Sequence, residues 1–261
     1  MQTESTSCKM SDSTNDIADK LLWSRPERKN QRGKILLIGG NSQEFVDMQV
    51  AYAAANEVGI QQASIVLPDK LKRMLGGMPN VEFVPSTPSG SFAKDGLQIL
   101  SSLSQASDVT VLCGELSNNS ETSVVIEQLS QADVSPLVLI GDSIMHAVGA
   151  IAERNEPTVI IGAKSAFQEL ISYFDLPSTI TSQSNPSHIR NTLTDLAIAS
   201  KSMLVLHHSG TIFIANDQNS TQIKSDSMNH PKVAVFAAEL LAEFPKQQFE
   251  AVVAGIKLIK E

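Results

Sequence analysis

Three short segments bring together residue types that could do chemistry. Gly39-Gly40-Asn41-Ser42 follows the apolar run 35–38 and precedes a helix-patterned stretch at 47–58. Backbone N–H groups in such a turn, backed by a helix N-terminus, could cradle a phosphate or a carboxamide. The segment has neither G-x-G-x-x-G nor the Lys-Ser/Thr of a Walker loop, so a plain strand-to-helix turn is the competing reading. Cys113-Gly114-Glu115-Leu116 closes another apolar run. Gly114 permits close backbone approach, and Glu115 is either a carboxylate at a binding rim or a solvated loop residue. Gly141-Asp142-Ser143 ends a further run and opens a helix, where Asp142 could face a ligand or could, like Ser143, be the N-cap.

His207-His208 invites a metal reading, but neighbours in an extended chain point to opposite faces. His146, His188 and His230 add no chelating spacing, so no metal site is expected. No Ser-His-Asp signature, paired-carboxylate motif or activated-cysteine context stands out.

These segments need a frame that delivers loops to one edge. From Lys34 onward, short apolar runs alternate with helical patterns. The runs 35–38, 64–67, 109–113, 137–140 and 158–161 are continuous rather than alternating, as expected of parallel strands covered on both faces. Helices are expected over 47–58, 92–106, 120–132, 142–155, 165–174 and 187–200. Runs 203–206 and 211–214, joined by a short link with Gly210, read as a hairpin at a sheet edge. Residues 217–231 read as a polar loop, and two helices, 233–244 and 247–257, close the chain around Pro245. The expected fold is one three-layer α/β/α domain over 21–261 with a mostly parallel sheet, ligands binding at the strands' carboxyl ends. Residues 1–20, polar and charged, are expected to be a disordered tail. Trp23 and Pro26 are expected to pack the following segment against the domain.

With 261 residues the chain can bury a full core. Its net charge of −8 and pI near 5.2 argue against nucleic acid or an anionic membrane as partner. Two cysteines, Cys8 and Cys113, make a structural disulfide unexpected and suit a reducing compartment. Without an apolar stretch of signal-peptide or membrane-span length, a cytoplasmic location is the expectation.

In their order, the segments resemble the ribokinase-like ADP/ATP-dependent NAD(P)H-hydrate dehydratases, which repair hydrated nicotinamide cofactors. The likeness runs from about Trp23 to the C-terminus. Arg32-Gly-Lys-Ile-Leu-Leu-Ile-Gly-Gly-Asn41 resembles the family's G-x-x-L-I-I-G-G-S opening, and Leu112-Cys-Gly-Glu-Leu116 stands where the family has G-P-G-L. Leu137-Val-Leu-Ile-Gly-Asp-Ser-Ile144 stands at the strand leading to D-A-D-A-L. Residues 204–215 resemble the V-V-L-K-G-x-x-T-V-I-A hairpin, with His207 at the lysine. Residues 249–256 resemble the helix after the family's catalytic turn.

The resemblance implies a ribokinase-like fold, ATP or ADP with Mg as cofactor, an NAD(P)H-like ligand and homo-oligomers. It also implies site positions at Gly39, Gly40, Asn41, Gly114, Glu115, Asp142 and His207. The departures are as informative. The family's T-P-H-x-G-E is Ile161-Gly-Ala-Lys-Ser-Ala166 here, and its G-x-G-D turn falls near Asn229-His-Pro-Lys-Val233. Pro231 removes a donor from that turn and Lys232 cannot act as a carboxylate acceptor. Losing an oriented acid/base together with an anion turn predicts a catalytically impaired nucleotide-binding or scaffold homologue. The alternatives are an active dehydratase, a small-molecule kinase and a purely structural subunit.

Overall fold

The computed structural model of the chain describes residues 16–132 and 134–259. The expected tail therefore lies largely outside the described residues; its last part, from residue 16, begins a helix, α1 (16–23), that buries Ala18 and Leu21. Trp23 is not what packs this segment down. It is 91% exposed, and the contacts come instead from Ala18, Leu21 and Arg25. An aromatic at the last turn of a short helix can point along the helix end to water, which hydropathy alone does not reveal.

A nine-stranded sheet runs in the order β3-β2-β1-β4-β5-β6-β7-β8-β9. Its strands are β1 (Lys34–Ile38), β2 (Gln62–Pro68), β3 (Val81–Val84), β4 (Val109–Leu112), β5 (Leu137–Ile140), β6 (Thr158–Gly162), β7 (Met203–His208), β8 (Thr211–Ala215) and β9 (Ser220–Lys224). Strands β1 to β7 are all parallel, and β8 and β9 add as an antiparallel meander. The expected hairpin is β7–β8, but the edge belongs to β9, within the stretch read as a polar loop. Its residues Ser-Thr-Gln-Ile-Lys bury only Thr221, so an exposed edge strand left little hydropathy signal.

The central runs are covered on both faces, as continuous apolar strands require: β4, β5 and β6 are buried throughout. Alternate residues feed two cores. Ile35 and Leu37 face α1, α2 (Val46–Val58), α9 (His230–Glu243) and α10 (Gln248–Leu258). Leu36 and Ile38 face α4 (Leu97–Gln105), α5 (Ser120–Gln131), α6 (Ser143–Ile151), α7 (Lys164–Tyr173) and α8 (Pro186–Ser200). The short α3 (Lys72–Leu75) follows β2. The expected helix from residue 92 starts only at Leu97, because Ser86 and Phe92 pair as an isolated β-bridge closing a loop. Helix α9 packs along β1, β4, β5 and β6 and so aims its first residue at their carboxyl ends.

Candidate functional site

The strand order reverses between β1 and β4, and that switch point is where a doubly wound sheet opens its ligand crevice. Here the crevice is filled by the chain itself. Gly40, at φ +75°, donates its N–H to the Gly114 carbonyl (3.2 Å), Asn41 to the Glu44 carbonyl (2.7 Å) and Ser42 to the Gly90 carbonyl (2.9 Å). The Asn41 side chain accepts from Gln43 N (2.8 Å) and Glu44 N (3.2 Å) and donates to the Glu115 carbonyl (2.7 Å). From the loop at 86–92, Ser91 Oγ donates to the Leu116 carbonyl. The glycine turn is therefore present, but the N–H groups of Gly40, Asn41 and Ser42 are committed within the protein.

Glu115 is half-buried. Held at φ +66°, it turns its carboxylate onto the first turn of α2, where Oε2 accepts from Asp47 N at 3.0 Å. Phe45, the N-cap of α2, supplies no side-chain bond of its own, so Glu115 caps the helix from another segment. Burial raises the Glu115 carboxyl above its ordinary value while the Asp47 N–H bond opposes that shift. Glu115→Ala should lower unfolding stability by about 1 kcal/mol, the usual weight of a lost helix cap, and loosen α2. Denaturant unfolding together with amide exchange at residues 46–49 checks this; an unchanged midpoint would refute the capping role.

Asp142 occupies the N-cap position of α6, at the Gly141 turn (φ +63°), without capping it. Its Oδ2 accepts from Leu116 N at 2.8 Å across the sheet edge, and its Oδ1 is buried with no hydrogen-bond partner among the described residues. Ser143 Oγ instead satisfies the strand end, accepting from Ile140 N (3.1 Å) and lying 2.8 Å from the Leu112 carbonyl. The approach is close: a Cβ on Gly114 would lie 3.2 Å from Asp47 Oδ2 and 3.3 Å from Asp142 Oδ1. Asp142 thus ties two strand-end loops together.

Beside it, beyond β5 and β6, a cleft of about 390 Å³ opens among Asp142, His146, Gly162, Ala163, Glu169 and His230. His230 is the first residue of α9. Burial lowers its imidazole below the ordinary value; Asp47 and the Gly162 carbonyl oppose this and His207 adds to it. Burial also raises Asp47, with His230 opposing and Asp142 reinforcing. His146 Nδ1 is 2.8 Å from Ser123 Oγ, which ties α6 to α5.

The start of α9 is closed as well. Asn229 Oδ1 accepts from Lys232 N (3.0 Å), and Pro231 has no N–H to offer. Neither nearby lysine enters the cleft: Lys232 Nζ pairs with Glu57 (2.8 Å) and Lys164 Nζ donates to Ser182 Oγ (3.2 Å).

Of the sequence candidates, Gly39, Gly40, Asn41, Gly114, Glu115 and Asp142 do come together, but only Asp142 lines the cleft. His207 stands apart at the β7–β8 hairpin, where its Nε2 is 2.8 Å from the Ser225 carbonyl; His208 is buried with Nε2 unpartnered among the described residues. Sequence reasoning missed Asp47, His230, His146 and Glu169. His230 was marked only by its place in Asn-His-Pro at a helix start, and the others carried no signal beyond their type. Among the described residues, no group of three or more His, Cys, Asp or Glu side chains could hold a metal ion. For the magnesium-bound triphosphate that the resemblance implies, the amides of Gly40, Asn41 and Ser42 are already consumed, while the cleft lining carries carboxylates, which suit Mg2+, and borders the uncapped start of α7, but has no lysine or arginine.

The parallel sheet with its antiparallel edge, flanked by two helical layers, is a ribokinase-like fold. Solved structures share it: a ribokinase-like superfamily protein of Enterococcus faecalis superposes with a TM-score of 0.69 at 17% identity, covering 92% of this chain and 84% of that one. The ADP/ATP-dependent NAD(P)H-hydrate dehydratase of Bacillus subtilis, co-crystallised with ATP and Mg2+, gives 0.63 at 14% identity, with coverage of 91% and 84%. A pyridoxal kinase of Staphylococcus aureus, in complex with AMP-PCP and pyridoxal, gives 0.58 at 11%, with coverage of 88% and 87%. At these identities the likeness is one of fold. No family model matches the sequence, and no curated protein matches it either. No helix among the described residues is long and apolar enough to cross a membrane.

Proposed function

We propose that the protein is a catalytically impaired ribokinase-like homologue that binds the nucleoside or nicotinamide portion of a nucleotide-like ligand in the cleft beside Asp142. The observation that carries this reading is the pairing of an open cleft at the strands' carboxyl ends with a closed helix start. The cleft has the volume of a small-molecule site, with polar side chains, Asp142, His146 and His230, on its lining. The turn that would bind phosphate and orient a base is replaced by Asn229-His230-Pro231, whose cap is satisfied internally. An active ADP/ATP-dependent dehydratase is the second reading, favoured by the structural likeness to the Bacillus subtilis enzyme.

Ala163 is exposed at the mouth of the cleft and precedes α7, so a large side chain there fills the space without disturbing the core. Calorimetric titration of wild type and Ala163→Trp with nicotinamide riboside, adenosine, NADPH and Mg-ATP tests the site. Saturable binding of at least one ligand, weakened at least tenfold by Ala163→Trp, is expected. Equal binding by both proteins, or none by a folded wild type, would overturn the assignment.

A further inference from the structure

We infer that residues 16–25 form a strap that alkaline pH releases from α9 and α10 while the sheet and its two cores stay folded. The strap is a device separate from the cleft, whatever the cleft binds. Two observations support it: a small apolar footing, and a buried charge cluster that fastens it.

Helix α1 has eight residues, too few to stay helical in water without packing. It buries Ala18 and Leu21, and Ile17 and Leu22 in part, against the core that α2, α9 and α10 share with the sheet. Polar ties then fasten the segment across both closing helices. Asp19 Oδ1 accepts from Lys257 Nζ of α10 at 2.6 Å, and Arg25 clamps Glu243 of α9 through bonds of 2.8 and 2.9 Å. The Asp19 side chain is 56% exposed, so that pair contributes little. Docking therefore rests mainly on Arg25.

Glu239 and Glu243 stand one helical turn apart on α9, both side chains out of water. The Arg25 guanidinium gives its close bonds to Glu243 and reaches Glu239 only at 3.5 Å. Glu239 Oε2 is buried with no hydrogen-bond partner among the described residues. The charged groups acting on Glu239 are Glu243 from its own helix, Arg25 after α1, and Arg32 ahead of β1, whose bonds go to backbone carbonyls. Two buried carboxylates share one closely bonded guanidinium, so Glu239 keeps its proton. Burial, then Glu243, push its carboxyl up to about 9.

Release of Arg25 admits water to both carboxylates and returns Glu239 toward its ordinary value of 4.5, where it loses that proton at neutral pH. The docked form thus binds a proton that the released form lacks. Docking is strongest below pH 4.5 and weakens as pH rises toward 9, by at most about tenfold per pH unit. The central strands β4, β5 and β6 are buried throughout and carry no titratable side chain, so the same change leaves them in place.

Amide hydrogen exchange of the full chain from pH 6 to pH 9, corrected for the intrinsic pH dependence of exchange, tests the strap. Protection over residues 17–25 is expected to fall about tenfold or more across that range, while residues 137–140 and 158–161 keep theirs. Glu239→Gln, neutral at every pH, should hold the strap's protection level. Asp19→Asn, at the exposed pair, should lower that protection by a similar factor at each pH and leave the slope unchanged. If Glu239→Gln does not fold, the wild-type and Asp19→Asn profiles decide alone. Strap protection that ignores pH, that falls in step with the central strands, or that keeps its slope in Glu239→Gln would overturn the inference.

Discussion

Gly255→Val should be the most damaging single substitution in the chain, lowering unfolding stability by about 3 kcal/mol or preventing folding outright. Gly255 lies inside α10 where it crosses α9. A Cβ there would stand 2.6 Å from the Phe236 carbonyl oxygen, 2.8 Å from its carbon and 2.9 Å from Ala237 Cα. All three are backbone atoms of α9, so no side chain can rotate away. Gly255→Ala decides between two effects of opposite sign. Helix propensity alone would stabilise by about 1 kcal/mol, whereas overpacking against fixed backbone costs about 1–3 kcal/mol. The contact distance puts the site toward the upper end, so Ala should also destabilise. Gly77, with nothing within 4 Å of its would-be Cβ, is the control, and Gly77→Ala should be nearly silent. Equilibrium urea unfolding compares them, and a stabilised Gly255→Ala would show that α10 sits further from α9 than described. Because α9 carries His230 to the cleft, a folded Gly255→Ala should also weaken ligand binding.

The second large effect concerns the far end of α9. Arg25 holds Glu243 through two bonds, Nε to Oε2 at 2.8 Å and Nη2 to Oε1 at 2.9 Å, and reaches Glu239 at 3.5 Å. Arg32 Nε lies 3.8 Å from Glu243 but donates to the Pro26 carbonyl, and its Nη1 donates to the carbonyls of Val58 and Gly59. Both glutamate side chains are fully buried and Arg25 is only 12% exposed. Arg25→Ala should therefore cost about 3 kcal/mol, since it leaves a buried carboxylate without its bidentate partner. Glu239 gives the cluster a pH signature. Burial, then the charge of Glu243, push its carboxyl from 4.5 up to about 9, against Arg25 and Arg32. The folded chain thus keeps a proton that the unfolded chain releases near pH 4.5. The stability this proton contributes is complete below pH 4.5 and is lost as pH rises toward 9. Glu239→Gln keeps a neutral side chain at every pH and should flatten that slope. Urea midpoints at pH 5, 7 and 9 test it, and parallel pH profiles for the two proteins would remove Glu239 as the cause.

Much of the frame was legible because its signals are local. The runs at 35–38, 109–113, 137–140 and 158–161 became buried parallel strands, and the glycines after them do turn the chain at the sheet's carboxyl edge. Strand β9 escaped because an edge strand with one buried residue has almost no hydrophobic pattern. The site was harder to read for a different reason. Whether Gly40 and Ser42 offer free N–H groups depends on Gly114 and Gly90, and Asn41 and Glu115 meet across 74 residues of sequence. A glycine turn announces that backbone can approach something; it does not say that the partner is already in the chain. Asp142 had two local readings, ligand-facing residue or N-cap. Its bond to Leu116 N is a third that only tertiary packing supplies.

The most direct test of the account is turnover. Purified protein, incubated with NADPH hydrate, Mg2+ and either ADP or ATP, should regenerate NADPH no faster than the protein-free mixture, because the phosphate donors are consumed and the α9 turn is capped. Saturable, nucleotide-dependent regeneration of NADPH that collapses in Asp142→Asn would contradict it, and would place an active dehydratase on this scaffold.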